Sequence, residues 1–259
     1  MAQDSWNPQQ YEKFKYERAQ PFYDLMNLLE PTPHAQVIDL GCGTGELTAE
    51  LHRFLDATKT TGMDSSEKML EKAQAFADKD IHFIKGDIQT WDVSTEYDVI
   101  FSNAALQWCT DHPALFNRLR KALRPSGQLA VQMPMNHDYP THVIAIQMSK
   151  EEPWRSLMKG EVYDKWDSLL PPEQYATMLF KMGFKDQKVF MRVYGHQLES
   201  RDDVVEWTRG TLLTHFQSRL SATDFENFVA EFRTRLNRQL PDDKPFFYPF
   251  KRLLLWARL

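Results

Sequence analysis

Cysteine and long apolar runs are scarce in this sequence. Only two cysteines, Cys42 and Cys109, occur among 259 residues, which is too few for a disulfide framework or a zinc cluster. No apolar run is long enough to cross a bilayer, and the polar stretch from Met1 to Pro8 is neither a signal peptide nor an anchor. These absences favour a cytoplasmic protein with no membrane partner.

Basic charge and metal-binding patterns are also missing. The net charge of −5 gives no broad positive field, so we expect no nucleic-acid partner. His137 and His142 are too far apart for one helical face, and no carboxylate pattern completes a site, so we predict no metal. The Gly-x-Ser-x-Gly elbow of hydrolases does not occur. Composition otherwise suits a globular protein, which we expect to be a monomer or a weak dimer.

A glycine-rich turn stands at the centre of the pattern. Residues 37–45 read Val-Ile-Asp-Leu-Gly-Cys-Gly-Thr-Gly, and helical spacing of apolar residues begins at Glu46. A buried strand that leads through glycines into a helix is the nucleotide-cofactor element of open α/β sheets. The glycine spacing differs from the dinucleotide fingerprint Gly-x-Gly-x-x-Gly. Strand, helix and strand then alternate, which predicts a mainly parallel sheet with right-handed crossovers.

Three more strand ends carry polar residues in a characteristic order. Asp64 ends the second strand, about 20 residues after the turn, where a ribose-binding acid belongs. Gly86-Asp87-Ile88 follows the third strand, and Ser102-Asn103 ends the fourth. Together these strand ends resemble the class I S-adenosylmethionine-dependent methyltransferases. The resemblance implies a Rossmann-like, doubly wound, mainly parallel seven-stranded sheet with its last strand antiparallel, and S-adenosyl-L-methionine as cofactor.

The resemblance also assigns roles to individual residues. Gly41, Cys42 and Gly43 would offer backbone N–H groups, Asp64 would accept the ribose hydroxyls, and Asp87 with Ile88 would bind adenine. The pattern of the N-terminal segment fits either an amphipathic helix that covers the sheet or a segment over the cofactor, with Arg18 or Tyr11 near the cofactor's carboxylate. Met69 either lines the adenine pocket or packs in the core. The predicted cofactor-binding residues are Arg18, Gly41, Cys42, Gly43, Asp64, Ser65, Met69, Asp87, Ile88 and Asn103.

The second half of the chain is predicted to be mostly helical. Helical spacing covers Thr141 to Met158, Pro172 to Met182, Arg201 to Phe216 and Ala222 to Leu240, with strands at Lys188 to Tyr194 and Phe247 to Trp256. We therefore expect a single methyltransferase domain, 1–259. Its expected parts are an N-terminal helical cover (1–30), a cofactor-binding half (31–135) and helical substrate-lid insertions (140–170 and 200–242).

Runs along nearly the whole chain resemble the trans-aconitate 2-methyltransferase family. They include Trp6-Asn7-Pro8, Gly62-Met63-Asp64-Ser65-Ser66, Asn103-Ala104-x-Leu106-Gln107-Trp108, Val131-Gln132-Met133-Pro134, Pro140-Thr141-His142, Val205-Glu206-Trp207 and Phe250-x-Arg252-Leu253. The resemblance implies methyl-ester formation on a carboxylate of a small organic acid. The implied substrate residues are Gln107, Trp108, His142, Tyr194, Trp207 and Arg252. Trp108 either lines the substrate pocket or packs in the core.

One departure concerns the lid. After Gly210-Thr211 the family usually carries Gly-Leu-Arg-Pro, whereas this chain has Leu212-Leu213-Thr214-His215. An arginine suited to binding a carboxylate is therefore missing from the lid, so the acceptor can differ from trans-aconitate itself. Tyr194-Gly195-His196 stands where the family often has two tyrosines.

The expected chemistry needs little acid–base help. A carboxylate is ionised at neutral pH, so alignment with the sulfonium methyl group does most of the work, and we predict no obligatory catalytic residue. Two alternatives stay open from the sequence. Gln107-Trp108-Cys109 resembles a run in enzymes that methylate an acyl group on a carrier protein, and a non-catalytic S-adenosylmethionine-binding protein would keep the same cofactor residues.

Overall fold

The chain forms two compact units. The structure, a computed structural model, describes residues 15–91, 96–161 and 168–259. The sheet unit comprises Arg18–Pro134, Asp167–Arg192 and Arg252–Leu259. The helical unit comprises Met1–Glu17, Met135–Trp166 and Val193–Lys251, and its first fourteen residues lie outside the described ranges. Each unit is considered by itself below.

Seven strands form one sheet. They are β1 (Gln36–Leu40), β2 (Lys59–Asp64), β3 (Ile81–Lys85), β4 (Tyr97–Asn103), β5 (Leu123–Pro134), β6 (Asp186–Leu198) and β7 (Phe246–Arg258). Their order across the sheet is β3-β2-β1-β4-β5-β7-β6. The pairs from β3 to β5 are parallel, and β7 is antiparallel to β5. The predicted fold class, with its antiparallel last strand, is confirmed.

The register aligns the ends of the parallel strands. Leu40 pairs with Met63, Asp64 pairs with Lys85, and Asn103 pairs with Gln132. The carboxyl ends of β1 to β5 therefore meet at one edge of the sheet, which we call the carboxyl edge. In open α/β sheets this edge is where ligands bind.

Burial explains why the central strands read as continuous apolar runs. Val37, Ile38 and Leu40 of β1 are buried, as are Val99 to Phe101 of β4 and Leu129 to Val131 of β5. Parallel strands that are covered on both faces have this composition. One cover is α1 (Lys15–Met26), whose Phe22 ring lies 4.8 Å from the ring of Phe101.

The other helices of the sheet unit follow the strands in turn. They are α2 (Glu46–Phe54), α3 (Glu67–Ala73), α4 (His112–Lys121) and α7 (Pro172–Lys181), with 3₁₀ turns at Gln74–Phe76 and Leu106–Trp108. Local chemistry sets their starts. Ser66 caps α3 by accepting from the Met69 N–H group, and Asp111 caps α4 by accepting from the Ala114 N–H group.

The helical unit has an aromatic core. Its helices are α5 (Pro140–Lys150), α6 (Trp154–Leu157), α8 (Asp202–Arg209), α9 (Thr214–Gln217) and α10 (Ala222–Gln239). Phe228 of α10 lies 4.9 Å from the Phe216 ring and 5.1 Å from the Trp154 ring. Each such ring contact stabilises the fold by about 0.5–1.5 kcal/mol beyond the effect of the apolar area that it buries.

Two predicted helices are each divided in two. The pattern predicts one helix from Thr141 to Met158, but α5 ends at Lys150 and α6 starts at Trp154. Pro153 lacks an N–H group, so it cannot continue a helix. The predicted helix from Arg201 to Phe216 is interrupted after Arg209, where Gly210 follows α8.

Within the described ranges, no helix combines the length and apolar composition of a membrane span.

Candidate cofactor and acceptor site

The glycine turn after β1 is held by its own backbone. The N–H groups of Gly41 and Cys42 donate to the Met63 carbonyl at 2.8 and 3.0 Å, and the Gly43 N–H group donates to Asp64 Oδ2 at 2.9 Å. These donors already have partners inside the protein. The turn is therefore rigid, and the N–H groups that the sequence pattern expects to face a ligand are held by Met63 and Asp64 in this structure.

Two glycines of the turn have different surroundings. Gly41 has φ +81°, and a Cβ there would lie 2.2 Å from the Ala105 Cβ, so the turn packs directly against the loop after β4. Gly43 has φ +55°, and a Cβ there would meet no atom within 4 Å. Gly41 is thus required for packing, whereas Gly43 presents bare backbone to open space.

Asp64 is oriented by three backbone contacts. Its Oδ2 accepts from Gly43 and its Oδ1 from the Ser66 N–H group at 2.9 Å, while its carbonyl accepts from Gly86 at 3.0 Å. Each carboxylate oxygen has about two lone-pair sites, so one backbone contact does not exclude a ribose hydroxyl at the same oxygen. The half-buried Asp64 side chain is thus held at the carboxyl edge in a fixed orientation.

The predicted neighbours of Asp64 lie on the same edge. Ser65 is exposed, and Met69 is buried, so both the pocket and the core interpretation of Met69 stay open. Asp87 is exposed and accepts from the Gln89 N–H group at 2.9 Å. Ile88 Cδ1 lies 4.0 Å from the Cβ position of Gly41, which brings the ends of β1 and β3 together.

Asp39 is a site feature that sequence analysis missed. This buried carboxyl of β1 accepts from Thr48 Oγ1 at 2.6 Å. Burial raises the pKa of Asp39 to about 7, and the neighbouring charge of Asp64 adds to the rise. An aspartate inside an apolar strand was the available signal.

The loop after β4 carries buried acceptors. Gln107 Nε2 donates to the Ala104 carbonyl at 2.7 Å, and the Ala104 N–H group donates to the Gln132 carbonyl at 2.9 Å. Asn103 Oδ1 and Gln107 Oε1 are buried, and neither has a donor within the part of the chain that the structure describes. Buried polar atoms are almost always paired. These oxygens therefore fit a ligand with N–H or ammonium donors, such as the amino-acid end of S-adenosylmethionine.

Gln132 and Arg252 form a second polar pair at the carboxyl edge. Arg252 Nη1 donates to Gln132 Oε1 at 3.3 Å, and both side chains are buried. The sequence pointed to Arg252 but not to Gln132. A glutamine in an otherwise apolar strand was the signal. Trp108, also predicted at this loop, is half-buried in the turn Leu106–Trp108.

The remaining predicted substrate residues belong to the helical unit. His142 is buried beside Thr141, whose Oγ1 lies 3.0 Å from His142 Nδ1, and burial lowers the pKa of His142 to about 3. Tyr194 is buried, and the Trp207 ring lies 4.6 Å from the ring of His196. The structure therefore brings Gln107, Trp108 and Arg252 into the sheet unit, and His142, Tyr194 and Trp207 into the helical unit.

Two predictions concern residues at the start of the chain. Tyr11 lies outside the described residues, and for Arg18 only the backbone, in α1, is described. Their proximity to a cofactor carboxylate stays a prediction. Among the residues that the structure does describe, no three of His, Cys, Asp or Glu come together as a metal site would require.

Solved structures share this architecture. The YcgJ protein from Bacillus subtilis matches with a TM-score of 0.60 at 14% identity, covering 92% of this chain and 97% of that chain. Phosphoethanolamine N-methyltransferase 2 from Haemonchus contortus, in complex with S-adenosyl-L-methionine, matches with a TM-score of 0.52 at 17% identity. That match covers 91% of this chain and 51% of the other. At these identities the likeness concerns the fold.

Sequence comparison identifies the family. Residues 37–127, from β1 to the first residues of β5, match the methyltransferase domain family. Trans-aconitate 2-methyltransferase from Deinococcus radiodurans is 41% identical over 257 residues, which cover 98% of each chain. The cofactor, S-adenosyl-L-methionine, agrees with the oriented acid and buried acceptors of the carboxyl edge. The chain belongs to the trans-aconitate 2-methyltransferase family of S-adenosylmethionine-dependent methyltransferases.

Proposed function

We propose that this enzyme forms a methyl ester on one carboxylate of a small organic acid similar to trans-aconitate. The observation that carries the proposal is the 41% identity to a trans-aconitate 2-methyltransferase over 98% of both chains. That relative's name assigns it trans-aconitate as acceptor. At the carboxyl edge of the sheet unit, the amide N–H groups of Gln132 and the buried guanidinium of Arg252 support an anionic acceptor.

The proposed chemistry depends on alignment. When bound, the sulfonium cofactor supplies an electrophilic methyl group. The acceptor oxygen is already an anion at neutral pH, so its bond to the methyl carbon would form as the carbon–sulfur bond breaks, and no proton would need to be transferred. The chain's part is to hold Asp64 against the ribose and to fix the loop from Asn103 to Trp108. Alignment of this kind can lower a barrier by up to about 7–11 kcal/mol.

The distribution of roles follows from this chemistry. We propose Gly41, Cys42, Gly43, Asp64, Ser65, Met69, Asp87, Ile88, Asn103 and Arg18 as cofactor residues. We propose Gln107, Trp108, His142, Tyr194, Trp207 and Arg252 as acceptor residues. The helical stretches 140–170 and 200–242 would cover the acceptor, and residues 1–30 the cofactor. A cytoplasmic, monomeric or weakly dimeric enzyme that binds neither nucleic acid nor membranes completes the proposal.

A methyl-transfer screen tests the proposal. The protein is incubated with S-adenosylmethionine and trans-aconitate, cis-aconitate, citrate, itaconate or butanoate, and product masses are read by mass spectrometry. We expect a mono-methyl ester of at least one di- or tricarboxylic acid. Substituting Gln107 with leucine should lower kcat/KM by about 10-fold to 100-fold, since a buried amide contributes about 1–3 kcal/mol. Transfer to none of these acids would contradict the proposal.

A further inference from the structure

The buried amide of Gln132 has an orientation that its neighbour fixes. A guanidinium only donates hydrogen bonds, so the atom that faces Arg252 Nη1 at 3.3 Å must be the amide oxygen. The amide nitrogen therefore points away from that contact. Gln132 is 0% exposed, and its Nε2 has no acceptor within the described ranges. Two buried N–H donors are thus directed at a position that the described chain leaves without an acceptor.

Arg252 places positive charge beside these donors. Its side chain is 5% exposed and lies on β7, where Arg252 pairs with Pro134 of β5. Side chains two residues apart in a strand point to the same face, so Gln132 and Arg252 share the face that Pro134 defines. A guanidinium and an amide N–H on one face form a site for a planar anion, above all a carboxylate.

The same face leads to the proposed methyl-transfer site. Asn103 pairs with Gln132, so their Cα atoms are one strand spacing, about 4.8 Å, apart and their side chains share a face. Phe101, two residues earlier in β4, packs against Phe22 of α1, so this is the face that α1 covers. A small organic acid with one carboxylate at Gln132 and Arg252 would therefore be long enough to place another carboxylate near Asn103.

We infer that Gln132 and Arg252 form an anion subsite that binds a second carboxylate of the acceptor, the one that is not methylated. This inference rests on the proposed function and narrows its substrate class to acids with at least two carboxylates. Gln132 is a specificity-determining residue here, because its Oε1 holds the guanidinium and its Nε2 donates to the ligand.

Calorimetric titration with propane-1,2,3-tricarboxylate, in the presence and absence of S-adenosylhomocysteine, tests the subsite without any methyl transfer. We expect the wild-type protein to bind this tricarboxylate and to bind butanoate at least about 30-fold more weakly. Gln132→Glu should weaken tricarboxylate binding at least about 30-fold, because the new carboxylate pairs with Arg252 and repels the ligand. Arg252→Gln should weaken it by a similar factor, and S-adenosylhomocysteine affinity should be unchanged in both.

The control is Arg258→Gln on the same strand. Arg258 forms ion pairs with Glu30 and Asp186 away from the carboxyl edge, so this variant should bind the tricarboxylate normally. If Arg252→Gln fails to fold, Gln132→Glu decides, because it leaves the guanidinium with a partner. Wild-type affinity in Gln132→Glu, equal affinity for butanoate, or no tricarboxylate binding by the wild type would each overturn the inference.

The titration also separates this inference from the proposed function. Tricarboxylate binding that depends on Gln132 and Arg252, without methyl transfer to any acid, supports the subsite and contradicts the proposed reaction. Methyl transfer to di- and tricarboxylic acids whose KM is unchanged in Gln132→Glu contradicts the subsite and leaves the reaction standing.

Discussion

At the scale of single residues, a buried chain of hydrogen bonds holds the loop after β4. The Leu170 N–H group donates to Tyr175 Oη at 3.3 Å, and Tyr175 Oη lies 2.6 Å from His112 Nδ1. His112 Nε2 lies 3.1 Å from the Leu106 carbonyl, which can only accept. Nε2 therefore carries the proton, and the tyrosine hydroxyl donates to Nδ1. Burial lowers the pKa of His112, in keeping with this neutral tautomer.

Removing the hydroxyl in Tyr175→Phe should destabilise the protein. His112 Nδ1 and the Leu170 N–H group would lose their partner in a buried site, which costs about 1–3 kcal/mol. Chemical denaturation should show this loss in the free energy of unfolding. The control is Thr177→Val on the exposed face of α7, for which we expect a change within about 0.5 kcal/mol. Equal stability of the two variants would contradict the assigned hydrogen-bond chain.

The Tyr175 contact also shows what the spacing of residues along the sequence predicts and what it does not. Helical spacing predicts that Tyr175 and Leu179 point inward, and both are fully buried. The spacing does not predict the partner, because His112 is 63 residues earlier in the chain. Likewise, the polar residues Asp39 and Gln132 stand out within apolar strands, but their partners become visible only when the strands are placed side by side.

At the scale of elements, the two glycines of the turn after β1 can be tested separately, because Gly41 packs against a neighbouring loop and Gly43 faces open space. Gly43→Ala should fold, because open space surrounds its Cβ position, with a cost of about 1–2 kcal/mol for the positive φ of +55°. The added methyl group would occupy the space above the turn, where we propose that the cofactor lies. We expect the Kd for S-adenosylhomocysteine, measured by calorimetry, to rise at least about tenfold.

Gly183 provides the matched control. It follows α7 with φ +88°, and its Cβ position is also free of atoms within 4 Å. Gly183→Ala therefore carries the same kind of backbone strain at a place remote from the carboxyl edge. It should lose similar stability and keep full cofactor affinity. A Gly43→Ala protein that binds as well as Gly183→Ala would show that the cofactor does not approach this turn.

At the scale of the whole molecule, sequence patterns predict the sheet better than the helical unit. The strand ends Leu40, Asp64 and Asn103 were each recognisable, because a parallel sheet requires buried strands with polar residues at one edge. The helical unit lacks such a rule. Its aromatic contacts, such as that of Trp154 with Phe228, depend on packing between segments that are distant in the chain. Its breaks at Pro153 and Gly210 have local causes, but apolar spacing alone does not show them.

Acidification should destabilise the molecule through its buried histidines. Burial lowers the pKa of His142 from 6.5 to about 3, and it also lowers the pKa of His112 in the sheet unit. The unfolded chain therefore takes up protons first as the pH falls, so each histidine reduces the free energy of unfolding below about pH 6.5. Asp39 opposes this, because its raised pKa, about 7, favours the folded state as the pH falls towards 3.8.

The contribution of His142 can be isolated with His142→Gln. From about pH 6.5 towards pH 4, the wild-type free energy of unfolding should fall relative to this variant by up to about 1.4 kcal/mol per pH unit. The difference should stay constant from about pH 8 to pH 9, where His142 is neutral in both states. Urea denaturation at a series of pH values measures both ranges. A difference that stays flat down to pH 4 would mean that the His142 imidazole reaches water in the folded protein.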